Sequence, residues 1–231
     1  MSVAPAKTAA LEALRRELGG RVRSGTEFLH ECERKEARQA SGLGALDAVL
    51  GGGLARGQLT EILVRGVSRG GGVVLAELLA QARREGRYAM LLDVGSGFSV
   101  ESFPERDLES LLWVGCDSAS QAVEALDVAT RDENFHLFLL DGRDCEPADW
   151  KAIRPQTWYR VLNQLRQREA VAVLFARGEV TAATKHRLEV TSRLDLDCLH
   201  RERAEILSRG RFEAVEWSEH RRESGAERRV G

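Results

Sequence analysis

The feature that most constrains this chain is a rhythm: short apolar runs recur between longer segments of helical periodicity across residues 59–176. The runs lie at 59–64, 88–93, 111–116, 136–141 and 170–176. The last shows no polar alternation, which is the pattern of a strand covered on both faces. Between the runs, 73–84 reads as a helix closed by Gly86 at C′, and Ser118 with Gln121 has the spacing of a capping box opening a helix through 129. Trp158, Val161, Leu162 and Leu165 share one helical face. Strands and helices alternating in this way predict an α/β fold, a doubly wound and mainly parallel sheet with helices on both faces. After residue 187 the pattern changes to polar-flanked alternation at 188–196 and 204–217, with Ser208-Arg209-Gly210 as a turn. Antiparallel strands added to one edge of the sheet are expected there.

A chain of 231 residues with 43% hydrophobic content is long enough for one substantial core. Leu11, Leu14 and Leu18 fall at i, i+3 and i+7 before Gly19-Gly20, so residues 1–19 hold a short amphipathic helix. Its apolar face requires a cover, either the chain's own core or a second protein. Residues 20–39 are polar and charged and read as a linker, 40–217 as the core and 218–231 as a charged tail.

Thirty-four basic residues against 36 acidic give a formal charge of −2, so the molecule lacks the overall positive field of a nonspecific nucleic-acid binder. Any DNA contact must be local. The four cysteines form no C-x-x-C pair, which argues against a zinc cluster or a disulfide framework, and no metal site is expected. No signal peptide or membrane-length apolar run is present, and a cytoplasmic location without membrane contact is expected.

The glycine-rich turn after the first apolar run decides the chemistry. A working phosphate loop has the form G-x-x-x-x-G-K-[ST]: backbone N–H groups cradle phosphate, the lysine neutralises it and the hydroxyl holds magnesium. Here the stretch is Gly66-Val-Ser-Arg69-Gly70-Gly71-Gly72-Val73, and no lysine occurs between Lys35 and Lys151. Arg65 or Arg69 could supply charge, but a planar guanidinium poorly replaces an enclosed ammonium. The glycines have a plainer use as a turn allowing close strand-to-helix packing. At the next strand end, Asp93-Val-Gly95 lacks a glutamate two residues beyond the aspartate, where an ATPase of this kind carries its base. Residues 137–141 end in Asp141, as a Walker-B-like strand does, although an aspartate at a strand end is also an ordinary cap or turn residue.

Residues 41–62 resemble the run leading into the phosphate loop of RecA and its relatives, and the likeness continues through 82–93, 108–114 and 187–196. The chain resembles the ImuA family, RecA-like proteins with a degenerate nucleotide site that accompany polymerase-like proteins in damage-induced, SOS-dependent translesion synthesis. That likeness implies a non-catalytic accessory of bacterial DNA repair and recombination, nucleoid-associated when active. Its partners would be a polymerase-like protein of the mutasome and RecA, with single-stranded DNA as a further ligand. No resident cofactor is expected; weak binding of ATP with magnesium stays open, without hydrolysis. Two other readings also stay open: a divergent RecA-type ATPase using arginine for lysine, and a SulA-like inhibitor of filaments or cell division.

In RecA-like folds two loops at the carboxyl ends of the strands hold single-stranded DNA. The first would fall at 143–154, where Asp144, Glu146 and Asp149 oppose phosphate. The second, 177–187, carries Arg177, Lys185, His186 and Arg187 against Glu179 alone, and its small residues at 181–184 suit a mobile loop. A short basic loop is also an ordinary solvated surface. Trp150, Trp158 and Tyr159 could stack on bases, although core packing is the commoner use of such rings. RecA protomers dock through an N-terminal helix, so Leu11, Leu14 and Leu18 are the candidate partner-binding or self-association face.

Overall fold

The structure, a computed structural model, describes residues 37–66, 69–184, 186–201 and 203–215. The chain divides into two units, Met1–Ala37 and Arg38–Gly231, and every described strand and helix belongs to the second. Leu11, Leu14 and Leu18, the linker as far as residue 36, Lys185 and the tail lie outside the described residues.

The strands are β1 (Arg38–Gln39), β2 (Leu54–Ala55), β3 (Leu59–Leu63), β4 (Tyr88–Val94), β5 (Leu111–Cys116), β6 (Phe135–Gly142), β7 (Val171–Ala176), β8 (His186–Val190) and β9 (Phe212–Ala214). The helices are α1 (Gly44–Val49), α2 (Gly71–Arg84), α3 (Glu105–Leu108), α4 (Ala119–Ala129), α5 (Pro147–Lys151), α6 (Pro155–Arg168) and α7 (Arg203–Ser208). β1 and β2 form a small antiparallel pair. The other seven strands make one sheet in the order β5-β4-β6-β7-β3-β8-β9, parallel throughout except for β8–β9. This is an α/β, RecA-like fold.

Strand periodicity splits the core cleanly in two. Ile62, Leu91, Leu139, Val173 and Leu188 point to the face covered by Val74, Leu75, Leu78 and Leu79 of α2. Their neighbours Leu92, Phe138, Leu140 and Leu174 point to the opposite face, covered by Ala122, Val123 and Leu126 of α4 and by Trp158, Val161, Leu162 and Leu165 of α6. Every residue of β3 and β7 is buried, which is why these runs lack polar alternation. Ser118 caps α4 by accepting from Gln121 N at 3.2 Å, while Gln121 Oε1 reaches back to Asp117 N at 2.6 Å. Gly86 follows α2 with φ of +65°, the left-handed conformation expected of a C′ glycine.

Three expected elements differ. Helix α2 begins at Gly71, so two glycines lie inside its first turn. Residues 204–217 are not one strand: α7 occupies Arg203–Ser208, and only Phe212–Ala214 pair with β8. Likewise β8 stops at Val190, and Asp195 accepts from Cys198 N at 3.2 Å to open a 3₁₀ turn at Leu196–His200. Charge spacing carries the reason. Arg201 and Arg209 each sit four residues from Glu205 and pair with it, a helical repeat that outweighs the apparent alternation.

Candidate functional site

The sheet order creates a crevice. From β3 the chain crosses over β7 and β6 to reach β4, whereas from β7 it travels the other way, past β3, to β8. Connections leaving neighbouring strands in opposite directions open a cleft at the strands' carboxyl ends, where open α/β sheets bind ligands. A cleft of about 670 Å³ lies there, bounded by Gly70, Gly71 and Gly72, by Phe98 and Phe103, and by Arg143 and Arg177.

The glycines are used for packing. A Cβ on Gly71 would come within 2.9 Å of Val64 Cγ2 and 3.3 Å of Arg143 Cδ, so α2 can approach the end of β3 only without a side chain there. Gly70, the N-cap, has φ of +86°, which suits glycine alone. The lysine position of a phosphate loop is Gly72, and a Cβ there would stand 3.5 Å from Arg143 Nη1. Thus the guanidinium of Arg143, arriving from the far end of β6, lies beside the place where a phosphate-binding lysine would start.

The same arginine closes over Asp141. Its Nε donates to Oδ1 at 2.7 Å and its Nη2 to Oδ2 at 2.5 Å, a two-pronged pair reinforced by the Arg143 backbone N–H to Oδ1 at 3.3 Å. Burial pulls the guanidinium's pKa down, but the hydrogen bonds and charge of Asp141, helped by Asp144 and Asp93, overcome this and hold it above the usual arginine value. Both Asp141 oxygens are therefore engaged by protein. Asp93 is occupied as well: it is fully buried and accepts from Gly97 N at 3.2 Å, Phe98 N at 3.1 Å and Trp113 Nε1 at 3.3 Å. Its work is to shape the 95–98 turn, and Gly95, with φ of +90°, stands where an ATPase would carry its glutamate.

Arg69 does not take the lysine's place. It turns back along its own loop, donating from Nε to Arg65 O at 3.1 Å and from Nη1 to Thr191 O at 3.5 Å. Gly66 has φ of +97° at the start of the loop.

Of the basic residues of 177–187, the described ones, Arg177, His186 and Arg187, are not brought together. Arg177 stands at the carboxyl end of β7, on the rim of the cleft, in an exposed pair with Asp144 at 3.3 Å. His186 and Arg187 begin β8, which runs parallel to β3, so they lie towards the amino ends of the strands, opposite the cleft. Arg187 is buried and donates from Nε to Glu61 Oε2 at 2.6 Å and from Nη2 to Thr181 O at 2.9 Å, an arrangement that removes it from any surface. Glu61 also accepts from Thr181 N at 2.8 Å, and the Thr184 hydroxyl donates to Leu59 O. This crossover is therefore anchored to β3, contrary to the expectation of a mobile loop. Trp150 and Trp158 are buried against each other with ring centroids 6.3 Å apart, while Tyr159 is exposed.

Arg143 is the cleft residue whose part sequence reading missed. Its signal was present in the order Asp141-Gly142-Arg143, an acid at a strand end with an arginine two residues on. Among the described residues no helix is long and apolar enough to cross a membrane. Compared with models of known families the chain finds no match, and a comparison with curated proteins finds none either.

Proposed function

We propose that this protein is a non-catalytic RecA-like accessory of bacterial DNA repair, which supports error-prone translesion synthesis by binding polymerase or recombinase partners. The observation that carries the non-catalytic part is the Asp141–Arg143 pair set against Gly72. In a working site that aspartate faces a magnesium ion and that helix turn supplies a lysine. Here an arginine of the chain satisfies the one and lies beside the other, so the cleft carries its own counter-ion. The repair setting is supported by the sequence resemblance to the ImuA family. Single-stranded DNA is a secondary ligand in this reading, and among the described basic residues considered for it Arg177 is the one at the cleft.

Calorimetric titration with ATP and magnesium, beside fluorescence anisotropy with single-stranded DNA at two salt concentrations, tests this reading. No nucleotide heat is expected, and no phosphate release over time. Saturable, magnesium-dependent ATP binding that disappears in Asp141→Ala would replace the proposal with a divergent ATPase in which Arg143 serves for the lysine.

A further inference from the structure

We propose that the cleft takes an apolar carboxylic acid, a ligand with an aromatic or branched hydrocarbon body that ends in a single carboxylate. This inference rests on the reading that the cleft no longer takes ATP, and it names what the cleft takes instead.

The walls are apolar. At about 670 Å³ the cleft lies within the roughly 300–1,000 Å³ typical of small-molecule sites. Leu75, Phe98, Phe103, Leu194 and Ile206 contribute hydrocarbon and aromatic surface to it. Phe98 and Phe103, with ring centroids 4.6 Å apart, form one aromatic wall. Phe103, Leu194 and Ile206 are only partly buried, so the protein leaves apolar surface in the cleft for a ligand to cover.

The charged groups are not balanced. Arg69, Arg143 and Arg177 line the cleft, against Asp144 as the one carboxylate among its lining residues. Arg143 is matched by Asp141 and Arg177 by Asp144, whereas Arg69 bonds only to the carbonyls of Arg65 and Thr191 and has no carboxylate partner among the described residues. Asp141 takes only Nε and Nη2 of Arg143, and Nη1 stands beside Gly72. Helix α2 opens onto the cleft with no side-chain cap. Val74 N is the first to bond back, to Gly70 O at 3.0 Å, so the N–H groups of Gly71, Gly72 and Val73 have no acceptor within the helix. An unmatched guanidinium together with these donors calls for one negative charge.

The charge count selects the class of ligand. A nucleoside triphosphate brings several negative charges and a magnesium ion, but one cation is unmatched and both Asp93 and Asp141 are already engaged. Inorganic phosphate leaves the apolar walls uncovered. A neutral hydrocarbon covers them but shuts Arg69 away from water without a counter-charge. One carboxylate on an apolar body answers both demands. Such a group occurs on free acids and on the last residue of a polypeptide, and the test separates these sources.

The test uses the full chain without magnesium and pyrenebutyrate as the probe, followed by fluorescence anisotropy beside its uncharged counterpart pyrenebutanol. The acid should bind at least about tenfold tighter, as expected of one charge-assisted contact. Arg69→Gln should abolish that preference, and Phe103→Ala should weaken both compounds. Amide exchange at Gly71, Gly72 and Val73 should slow when the acid is added to the unaltered protein, a readout that depends on no variant folding. Phenylbutyrate and acetyl-Gly-Gly-Phe with a free carboxyl end then compete with the probe. Tighter binding of the first assigns the site to a free acid and of the second to the end of another chain, and either result upholds the carboxylate. Failure of the acid to bind, equal binding of acid and alcohol, an unchanged preference in Arg69→Gln, or slowed exchange confined elsewhere would each overturn the proposal and leave the non-catalytic reading standing. Displacement of the probe by ATP with magnesium would overturn both.

Discussion

The buried Glu61–Arg187 pair offers a demanding test of how the crossover from β7 to β8 is held. Glu61 has no exposed surface and the Arg187 side chain retains 3%, so the two charges meet almost free of water at 2.6 Å. Removing one member of such a pair strands the other and costs about 3–5 kcal/mol, whereas replacing both with apolar residues of similar size is close to neutral. Arg187→Met keeps the stem of the side chain but removes the charge and the bond to Thr181 O. Burial already raises the Glu61 pKa above the ordinary carboxylate value, although the Arg187 bond and charge and the Thr181 and Val180 N–H groups oppose it. In the variant the two Arg187 contributions vanish while burial remains, so the value rises further. A carboxyl group whose folded-state pKa is raised holds its proton longer in the native than in the unfolded state. Its contribution to stability therefore falls as pH rises from the unfolded value to the folded one, by about 1.4 kcal/mol for each pH unit separating them. Urea denaturation followed by far-UV circular dichroism should find Arg187→Met weakened by about 3–5 kcal/mol near pH 8, and by clearly less near pH 5, where Glu61 is nearer to neutral. Glu61→Leu/Arg187→Met should recover most of the loss. A deficit that is the same at both pH values, or a double variant as weak as the single one, would show that the pair does not govern this crossover.

Other substitutions probe the cleft and the core. Gly71→Ala should destabilise by about 1–3 kcal/mol because its methyl meets Val64, whereas Gly72→Ala, with open space apart from Arg143, should be neutral or gain about 0.5–1 kcal/mol of helix propensity; thermal melts of the two variants separate these effects. Gly72→Lys/Val73→Ser alone should not confer ATP binding in a calorimeter, since Arg143 still holds Asp141, while adding Arg143→Ala to that pair should. Trp158→Ala should cost about 3–5 kcal/mol in chemical denaturation, and Tyr159→Ala, whose ring is exposed, less than about 0.5 kcal/mol.

What could be read from the sequence was whatever a local repeat encodes. The strands β3 to β7 came from short, mainly apolar runs, α4 from its Ser118 and Gln121 cap, and α6 from the four residues of one face. Each of these signals sits within a dozen residues of chain and is fixed by the geometry of a single element. Errors appeared where two local signals competed. In 204–217, a polar–apolar alternation suggested a strand, but the Arg201–Glu205–Arg209 spacing belonged to a helix, which occupies Arg203–Ser208. Other features depend on contacts remote in sequence and had no local trace. Nothing near Arg187 announces Glu61, which is 126 residues away, and the run of basic residues around it looked like a surface loop because its partner could not be seen. Absence was legible more readily than replacement: the missing lysine and glutamate were plain in the sequence, whereas the arginine beside the vacant lysine position was not.

Three buried carboxylates of the sheet illustrate what that replacement achieves. Asp141, Asp93 and Glu61 lie on β6, β4 and β3, all 4% exposed or less, and an unpaired carboxylate at such depth would oppose folding. Each is satisfied within the chain, by Arg143, by the 95–98 turn with Trp113, and by Arg187 with Thr181. In a site built for a nucleotide, some of that satisfaction comes from bound magnesium and arrives only with the ligand, so stability and ligation are linked. Where the chain supplies every counter-charge itself, that linkage is lost, and ATP has no unpaired acidic group to serve through its metal. Adding ATP and magnesium should then leave the melting temperature unchanged, while the Arg143→Ala variant, in which Asp141 is stripped of its partner, should be stabilised by magnesium alone.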